Sequence, residues 1–203
     1  MPVVLATRRL PLLPGPSPVA VHPRPPRSVR LSLTDRCDLA CVYCRPHRHD
    51  GYLEERLEDS AWKAMIEGLV RAGVRRVRLT GGEPLLHPRA VELVAFLQQL
   101  EIEDLALTTN ATRLASLAAP LRRAGLRRIT ISLDSLIPER FFQLTRGGHL
   151  GRVLDGIEAA LAAGFDEVKI NTVVLRGRND DEIEALTRWS WERGITPRFI
   201  ELM

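Results

Sequence analysis

The chain has 203 residues, of which 45% are hydrophobic and 27% charged, so it can bury enough apolar surface for one packed domain. Lysine and arginine number 29 against 25 acidic residues, a net charge of +4 that is compatible with an anionic ligand but does not require one. All three cysteines lie between Cys37 and Cys44, which argues against a secreted disulfide framework, and there is no apolar run of the roughly 18 residues that a membrane span needs. We therefore expect a cytoplasmic protein without a membrane partner.

The amino-terminal segment 1–27 is rich in proline, and Arg8 and Arg9 interrupt its apolar stretch, which fits a secretory signal badly. We expect a disordered lead-in that precedes one domain of residues 28–203. The segment contains no acidic residue, so a transit peptide remains an alternative interpretation.

From residue 28 onward, short β-rich runs alternate with longer helical patterns, which is typical of strand–helix units around a parallel sheet. The predicted strands are 28–34, 74–80, 104–109, 128–133, 167–174 and 197–202. The predicted helices are 59–72, 88–100, 112–124, 152–163 and 181–193, several of which end at a glycine. This order predicts an α/β fold, namely a partial (β/α)6 barrel of the TIM type that ends at about the sixth strand.

Several predicted strands have one polar face. In the first strand, Arg30 and Ser32 alternate with apolar residues, and the second, fourth and fifth strands alternate in the same way. A small closed barrel fills its centre with branched apolar side chains, so a polar interior indicates a ligand cavity. The alternative is that these faces are solvated, although helices on only one side of six parallel strands would be unusual unless the sheet curls.

The three cysteines follow the first predicted strand, in the loop at its carboxyl end, where the active sites of barrels lie. Thiolates bind iron–sulfur clusters or zinc in preference to hard cations, so Cys37, Cys41 and Cys44 are candidate ligands of a [4Fe–4S] cluster. A cube of four irons held by three cysteines leaves one iron open to a small molecule. The alternative is a closed zinc site with His47 or His49 as the fourth ligand.

A second candidate segment, Gly81-Gly82-Glu83-Pro84, ends the second predicted strand. Glycine is needed where the backbone approaches a ligand closely. By itself, the segment could equally be a plain turn in which Pro84 starts a helix.

The spacing CxxxCxxC, with Tyr43 before the last cysteine, together with the glycine segment, resembles the radical S-adenosylmethionine (SAM) superfamily. Within it, residues 28–203 are similar to the GTP 3′,8-cyclase family of molybdenum-cofactor biosynthesis (molybdenum cofactor biosynthesis protein A). The further segments that carry this similarity are 34–37, 78–86, 107–110, 126–128, 132–134, 169–171, 179–181 and 198–203.

The resemblance implies a lyase in which a [4Fe–4S] cluster with one open iron reductively cleaves SAM. The resulting 5′-deoxyadenosyl radical would remove H3′ of GTP, which leads to (8S)-3′,8-cyclo-7,8-dihydroguanosine 5′-triphosphate. No side chain is expected to be catalytic beyond the cluster and SAM. The family's SAM contacts fall on Tyr43, Gly82, Ser132 and Met203, and its GTP contacts fall on Arg30, Arg78, Thr108 and Lys169, with Arg198 as a further candidate cation. The implied partners are GTP and an electron donor such as flavodoxin or ferredoxin, and a homodimer is compatible with the family.

This sequence departs from the family pattern in two places. Members of the family carry a second set of cysteines for an auxiliary [4Fe–4S] cluster, whereas here no cysteine follows Cys44. We interpret the chain as a shortened version of a longer protein, or as a variant that lacks the second cluster. The sequence does not decide whether this chain catalyses the reaction without that cluster. Ala111 stands where the family usually has glycine, which affects the geometry of a turn.

Three other hypotheses remain at this point. The chain could be a radical SAM enzyme with a non-nucleotide substrate, a truncated form without turnover, or a zinc-stabilised module that is not an enzyme. No nucleic-acid partner is expected, because the basic residues around Arg122 and Arg128 are not interleaved with aromatic residues.

Overall fold

The computed structural model describes residues 26–45, 52 and 57–202. In these residues six parallel strands form one sheet whose spatial order is the order of the chain. The strands are β1 (Ser28–Ser32), β2 (Arg76–Thr80), β3 (Asp104–Thr109), β4 (Arg128–Ser132), β5 (Glu167–Val174) and β6 (Thr196–Glu201). The helices are α1 (Asp59–Arg71), α2 (Ala90–Gln98), α3 (Leu114–Arg123), α4 (Pro138–Thr145), α5 (Leu150–Ala162) and α6 (Ile183–Trp191), with 3-10 turns at Pro84–Leu86 and Asp180–Glu182.

The predicted α/β architecture is confirmed, and each predicted strand and helix is present with slightly shifted ends. Helix α4 is the element that the sequence analysis missed. Its sequence does carry helix signals, because Pro138 occupies the first turn, Glu139 follows it, and Phe141 and Leu144 are buried at helical spacing. The domain assignment stays a prediction, since residues 1–25 lie outside the described residues.

The outward face of the sheet is apolar and packs against the helices. Leu79, Leu107, Ile131 and Ile170 on the four central strands are all fully buried there. Helix α5 packs closely against the start of α3, since a Cβ atom on Gly156 would lie 3.1 Å from Leu114 Cβ and 2.5 Å from the carbonyl oxygen of Ala111, which precedes α3. None of the helices in the described ranges is long and apolar enough to cross a membrane.

The inward face is polar, as predicted, and the sheet curls around it. Burial is the main cause that lowers the pKa of Arg78 on β2, and the charges of Arg30 on β1 and Arg198 on β6 lower it further. In a flat sheet, β2 and β6 would be about 19 Å apart, too far for such a repulsion. The curl therefore brings β6 towards β2 across a lumen, as a partial barrel requires.

Candidate functional site

The cysteine loop follows β1 and is attached to helix α4. The amides of Cys44 and Arg45 both donate to the Cys41 carbonyl at 3.0 Å, which forms a tight turn between the second and third cysteines. The amides of Ala40 and Val42 donate to carbonyls at the end of α4, at 3.1 and 2.9 Å. The helix that the sequence analysis missed is therefore the element that holds the cysteine loop in place.

The three thiols meet at one cavity of about 210 Å³ at the carboxyl ends of the strands. All three cysteines are free, with Cys37 and Cys41 half-buried and Cys44 exposed. The cavity is also lined by Tyr43, Thr80, Gly81, Gly82, Thr108, Ser132 and Asp134. The structure thus brings together the predicted cluster ligands and three of the four predicted SAM contacts, while Met203 lies outside the described residues.

The chemistry of the cysteine side chains fits an iron–sulfur cluster. Burial raises the pKa of the Cys37 thiol to about 11 and that of Cys41 to about 12, so thiolates at neutral pH need a positive centre in contact with sulfur. The amide of Leu39 donates to the Cys37 sulfur at 3.4 Å and the side-chain amide of Asn110 at 3.7 Å. Hydrogen bonds to sulfur are a usual way in which a protein tunes such a cluster.

The zinc alternative receives no support from the described residues. Among them, no three His, Cys, Asp or Glu side chains are arranged to hold one metal ion. A cluster spreads its ligands over several irons, so its thiolates need not converge on a point. His47 and His49, the fourth ligands that the zinc hypothesis requires, lie outside the described residues.

Tyr43 is anchored by its hydroxyl group. The hydroxyl donates to Asp134 Oδ2 at 2.6 Å, and the amide of Val173 donates to the other carboxylate oxygen at 2.8 Å. Burial, followed by the charge of Asp134, raises the pKa of Tyr43 well above its usual range, and burial raises the pKa of Asp134. The hydroxyl of Tyr43 therefore acts as a neutral donor that joins the cysteine loop to β4.

The two glycines of the GGEP segment are needed for packing against the cysteine loop. A Cβ atom on Gly81 would lie 2.3 Å from the carbonyl oxygen of Thr34, and one on Gly82 would lie 2.3 Å from that of Arg36. The amides of Gly82 and Glu83 donate to the same two carbonyls at 2.7 Å. The close approach that glycine permits here is to the protein's own backbone, although both glycines also line the cavity.

Glu83 is a site residue that the sequence analysis did not single out. Its side chain is 1% exposed, and its oxygens accept hydrogen bonds from the Thr109 hydroxyl at 2.7 Å and from the amides of Leu85 and Asn110 at 3.0 and 2.6 Å. Burial raises its pKa to about 7. Glu83 thus joins the carboxyl ends of β2 and β3. An acidic residue between glycines and an apolar run was a signal that could have identified it.

Two buried polar atoms on the inward face have no hydrogen-bond partner among the described residues. They are Thr108 Oγ1 and Asn171 Oδ1. Leaving a buried polar group unpaired costs about 1 to 3 kcal/mol, so both atoms favour a ligand in the lumen. Thr108 was a predicted GTP contact, whereas Asn171 was not a predicted site residue.

The predicted GTP-binding cations lie on the inward face, as expected, but they differ in their partners. Arg30 and Arg78 are register neighbours on β1 and β2. Within the described part of the chain, Arg30, Arg78 and Arg198 form no ion pair. Lys169 is different, because its ammonium lies 2.7 Å from Glu167 Oε2.

Comparison with known proteins identifies the group to which these features correspond. The family model described as the radical SAM superfamily matches residues 31–190. The chain is 48% identical over 183 residues to a GTP 3′,8-cyclase of Ectopseudomonas mendocina, and 47% identical over 178 residues to one of Listeria monocytogenes. Each match covers 86% of this chain and 54% of the relative, so the chain spans about half the length of the curated relatives it matches.

Solved structures share the fold at low sequence identity. Streptococcus suis SuiB bound to S-adenosylmethionine matches with a TM-score of 0.71 and 20% identity, over 89% of this chain and 40% of that chain. Methylornithine synthase matches with a TM-score of 0.69 and 20% identity, over 87% of this chain and 53% of that chain. At these identities the likeness concerns the fold alone.

Proposed function

We propose that this chain, which belongs to the radical SAM superfamily, acts on GTP as a GTP 3′,8-cyclase does. The relatives of that name support the proposal through 86% of the chain. The lumen supports it independently, because its cations suit a ligand with several phosphates.

Cys37, Cys41 and Cys44 would hold the [4Fe–4S] cluster. When bound and reduced, such a cluster supplies the electron that splits SAM into methionine and a 5′-deoxyadenosyl radical. The protein's part is to hold the ligands in place. The Tyr43–Asp134 hydrogen bond and the amides that attach the loop to α4 fix the cysteines, and Gly82 and Ser132 line the adjoining wall where SAM would bind.

The observation that carries the substrate proposal is that the guanidinium groups of Arg30, Arg78 and Arg198 form no ion pair with any residue that the structure describes. Burial and then the charges of Arg30 and Arg198 lower the pKa of Arg78, and an anionic ligand beside these guanidinium groups would offset both causes. Guanidinium groups give planar, multidentate donors that match phosphate oxygens. A phosphate chain held there would place the attached ribose towards the cysteine cavity, where a radical could reach it.

The proposal is tested by anaerobic reconstitution with iron and sulfide, reduction with dithionite, and measurement of 5′-deoxyadenosine formed from SAM with and without GTP. Equilibrium binding of GTP is measured on the same preparation, since turnover and binding can fail separately. GTP binding together with GTP-dependent 5′-deoxyadenosine supports the proposal. SAM cleavage by a protein that does not bind GTP would leave a radical SAM enzyme with another substrate.

A further inference from the structure

The carboxamide of Asn110, directly after β3, lies against the cysteine loop. Its nitrogen Nδ2 lies 2.8 Å from Asp38 Oδ1 and 3.7 Å from Cys37 Sγ. A carboxamide nitrogen carries two hydrogens, so it can donate to both partners at once. Asn110 also lines the cysteine cavity together with Cys37. A side-chain donor from a different strand of the sheet thus reaches the sulfur of the first cysteine.

The orientation of this carboxamide is fixed by the groups around it. Asn110 Oδ1 accepts a hydrogen bond from the amide of Thr112 at 3.0 Å, and the Thr112 hydroxyl donates to Asp38 Oδ2 at 2.7 Å. The backbone amide of Asn110 donates to Glu83 Oε2 at 2.6 Å. Because the oxygen Oδ1 faces Thr112, the nitrogen Nδ2 faces Asp38 and Cys37. The donor to the Cys37 sulfur is therefore preorganised.

The charges beside Cys37 explain what such a donor can do. The carboxylate of Asp38 adjoins Cys37 in the chain, and a negative charge there opposes the addition of an electron to a cluster on the same loop. An N–H group directed at sulfur has the opposite effect, because it stabilises the negative charge that a thiolate-bound cluster gains on reduction. The amide of Leu39, 3.4 Å from the Cys37 sulfur, provides one such donor from within the loop. Asn110 provides a second one from outside it.

We propose that Asn110 is a positioning residue that raises the reduction potential of the cluster through its hydrogen bond to the Cys37 sulfur. The inference rests on the proposed function, in which Cys37 is a ligand of the cluster. Asn110 does not touch the substrate in this role, since it acts through Cys37. By offsetting the charge of Asp38, its carboxamide makes the cluster easier for an electron donor to reduce.

The test is a redox titration of the anaerobically reconstituted protein with dithionite, in which the electron paramagnetic resonance signal of the reduced cluster is followed without SAM or GTP. For Asn110→Ala we expect the equilibrium constant for one-electron reduction to fall about tenfold, which corresponds to a midpoint potential about 59 mV more negative. Asn110→Asp keeps the shape but turns an acceptor towards the sulfur, so it should shift the potential at least as far in the same direction. Thr112→Val is the matched control, because it removes the hydroxyl bond to Asp38 and leaves the sulfur donor in place. It should change the equilibrium constant by less than about threefold.

Each outcome bears on a different statement. If the unaltered protein takes up no iron–sulfur cluster, the proposed function fails and this inference fails with it. If it holds the cluster and the Asn110 variants keep its midpoint potential, the inference alone is overturned. A shift in Thr112→Val as large as that in Asn110→Ala would also overturn it, because the cause would then be a loosened hydrogen-bond network.

Should Asn110→Ala hold no cluster, Asn110→Asp decides, with a more negative midpoint potential as the expected result and an unchanged one as the contrary result. Loss of the cluster from both variants, by unfolding or by loss of iron, would show that Asn110 holds the loop together and does not set the potential. That result would likewise contradict the proposal.

Discussion

Tyr43 donates a 2.6 Å hydrogen bond to Asp134, a residue 91 positions later in the chain. The bond joins the loop of the three cysteines to the carboxyl end of β4. Asp134 is 3% exposed, so its carboxylate depends on this hydroxyl and on the amide of Val173 for its hydrogen bonds.

Replacing Tyr43 by Phe should therefore destabilise the protein by about 1 to 3 kcal/mol, because one carboxylate oxygen of Asp134 loses its partner in a buried place. The cysteine loop should also retain less iron. Both are measured by urea unfolding and by iron content after reconstitution. Tyr52→Phe is the matched control, since the Tyr52 hydroxyl bonds the Cys37 carbonyl at 2.8 Å from an exposed position. Equal losses of stability and of iron in the two variants would show that the hydrogen bond to Asp134 contributes no more than the hydrogen bond to the Cys37 carbonyl.

Replacing Cys41 by Ala should abolish both iron–sulfur incorporation and formation of 5′-deoxyadenosine, because two thiolates hold a cube poorly. Iron and sulfide content and the ultraviolet–visible spectrum measure the first effect, and chromatography of the reduced reaction measures the second. Retained 5′-deoxyadenosine formation by the variant would falsify the cluster assignment.

Replacing Arg78 by Ala should weaken GTP binding by about ten- to a hundredfold, which corresponds to the loss of about 1.5 to 3 kcal/mol from charged hydrogen bonds. Cleavage of SAM without GTP should stay largely intact, because Arg78 lies nearer the amino end of β2 than Thr80, which lines the cysteine cavity. Arg123→Ala, at an exposed position in the last turn of α3, removes the same charge outside the lumen and should leave the affinity unchanged. An unchanged affinity of the Arg78 variant would argue against a phosphate site in the lumen.

Helix α5 offers two glycines for a matched comparison. Gly156→Ala should destabilise the fold by about 1 to 3 kcal/mol, since its Cβ atom would lie 2.5 Å from the Ala111 carbonyl oxygen and 3.1 Å from Leu114 Cβ. Gly151→Ala meets no atom within 4 Å and should stabilise the protein by up to about 1 kcal/mol, because alanine loses less entropy in a helix. Thermal unfolding of the two variants measures the contrast, and similar melting temperatures would show that α3 and α5 are packed less closely.

The pKa of Glu83 predicts how stability depends on pH. At pH values below the ordinary glutamate pKa, the carboxyl group is protonated in both states and contributes no difference. As the pH rises towards about 7, the unfolded chain loses this proton first, so the folded state becomes less stable, by up to about 3 kcal/mol. Glu83→Gln should remove that decline. Urea unfolding between pH 5 and pH 8 gives the free energy of unfolding against pH for the unaltered protein and for the Glu83→Gln variant. Equal slopes for the two proteins would mean that the pKa of Glu83 is not raised in the folded state.

The sequence by itself was sufficient for the order of the strands and of the helices other than α4, and it was sufficient to predict the three cysteines as cluster ligands. Alternation of apolar residues reports which face of each strand is buried, and this is a property of neighbouring residues. Cys37, Cys41 and Cys44 also lie close together in the chain, so their spacing could be read directly. Helix α4 was missed even though Pro138 and the spacing of Phe141 and Leu144 indicate it.

Only the tertiary structure decided how these parts work together. It showed that α4 holds the cysteine loop, that Glu83 joins β2 to β3, and that Gly81 and Gly82 face backbone carbonyls of the loop. It also showed that Lys169 forms an ion pair with Glu167, whereas Arg78 forms no ion pair with the residues that the structure describes. These relationships link residues that are far apart in the chain. Whether a charge is neutralised or a polar atom is left unpaired depends on which distant groups the curled sheet brings within a few ångströms, and local sequence patterns do not encode those distances.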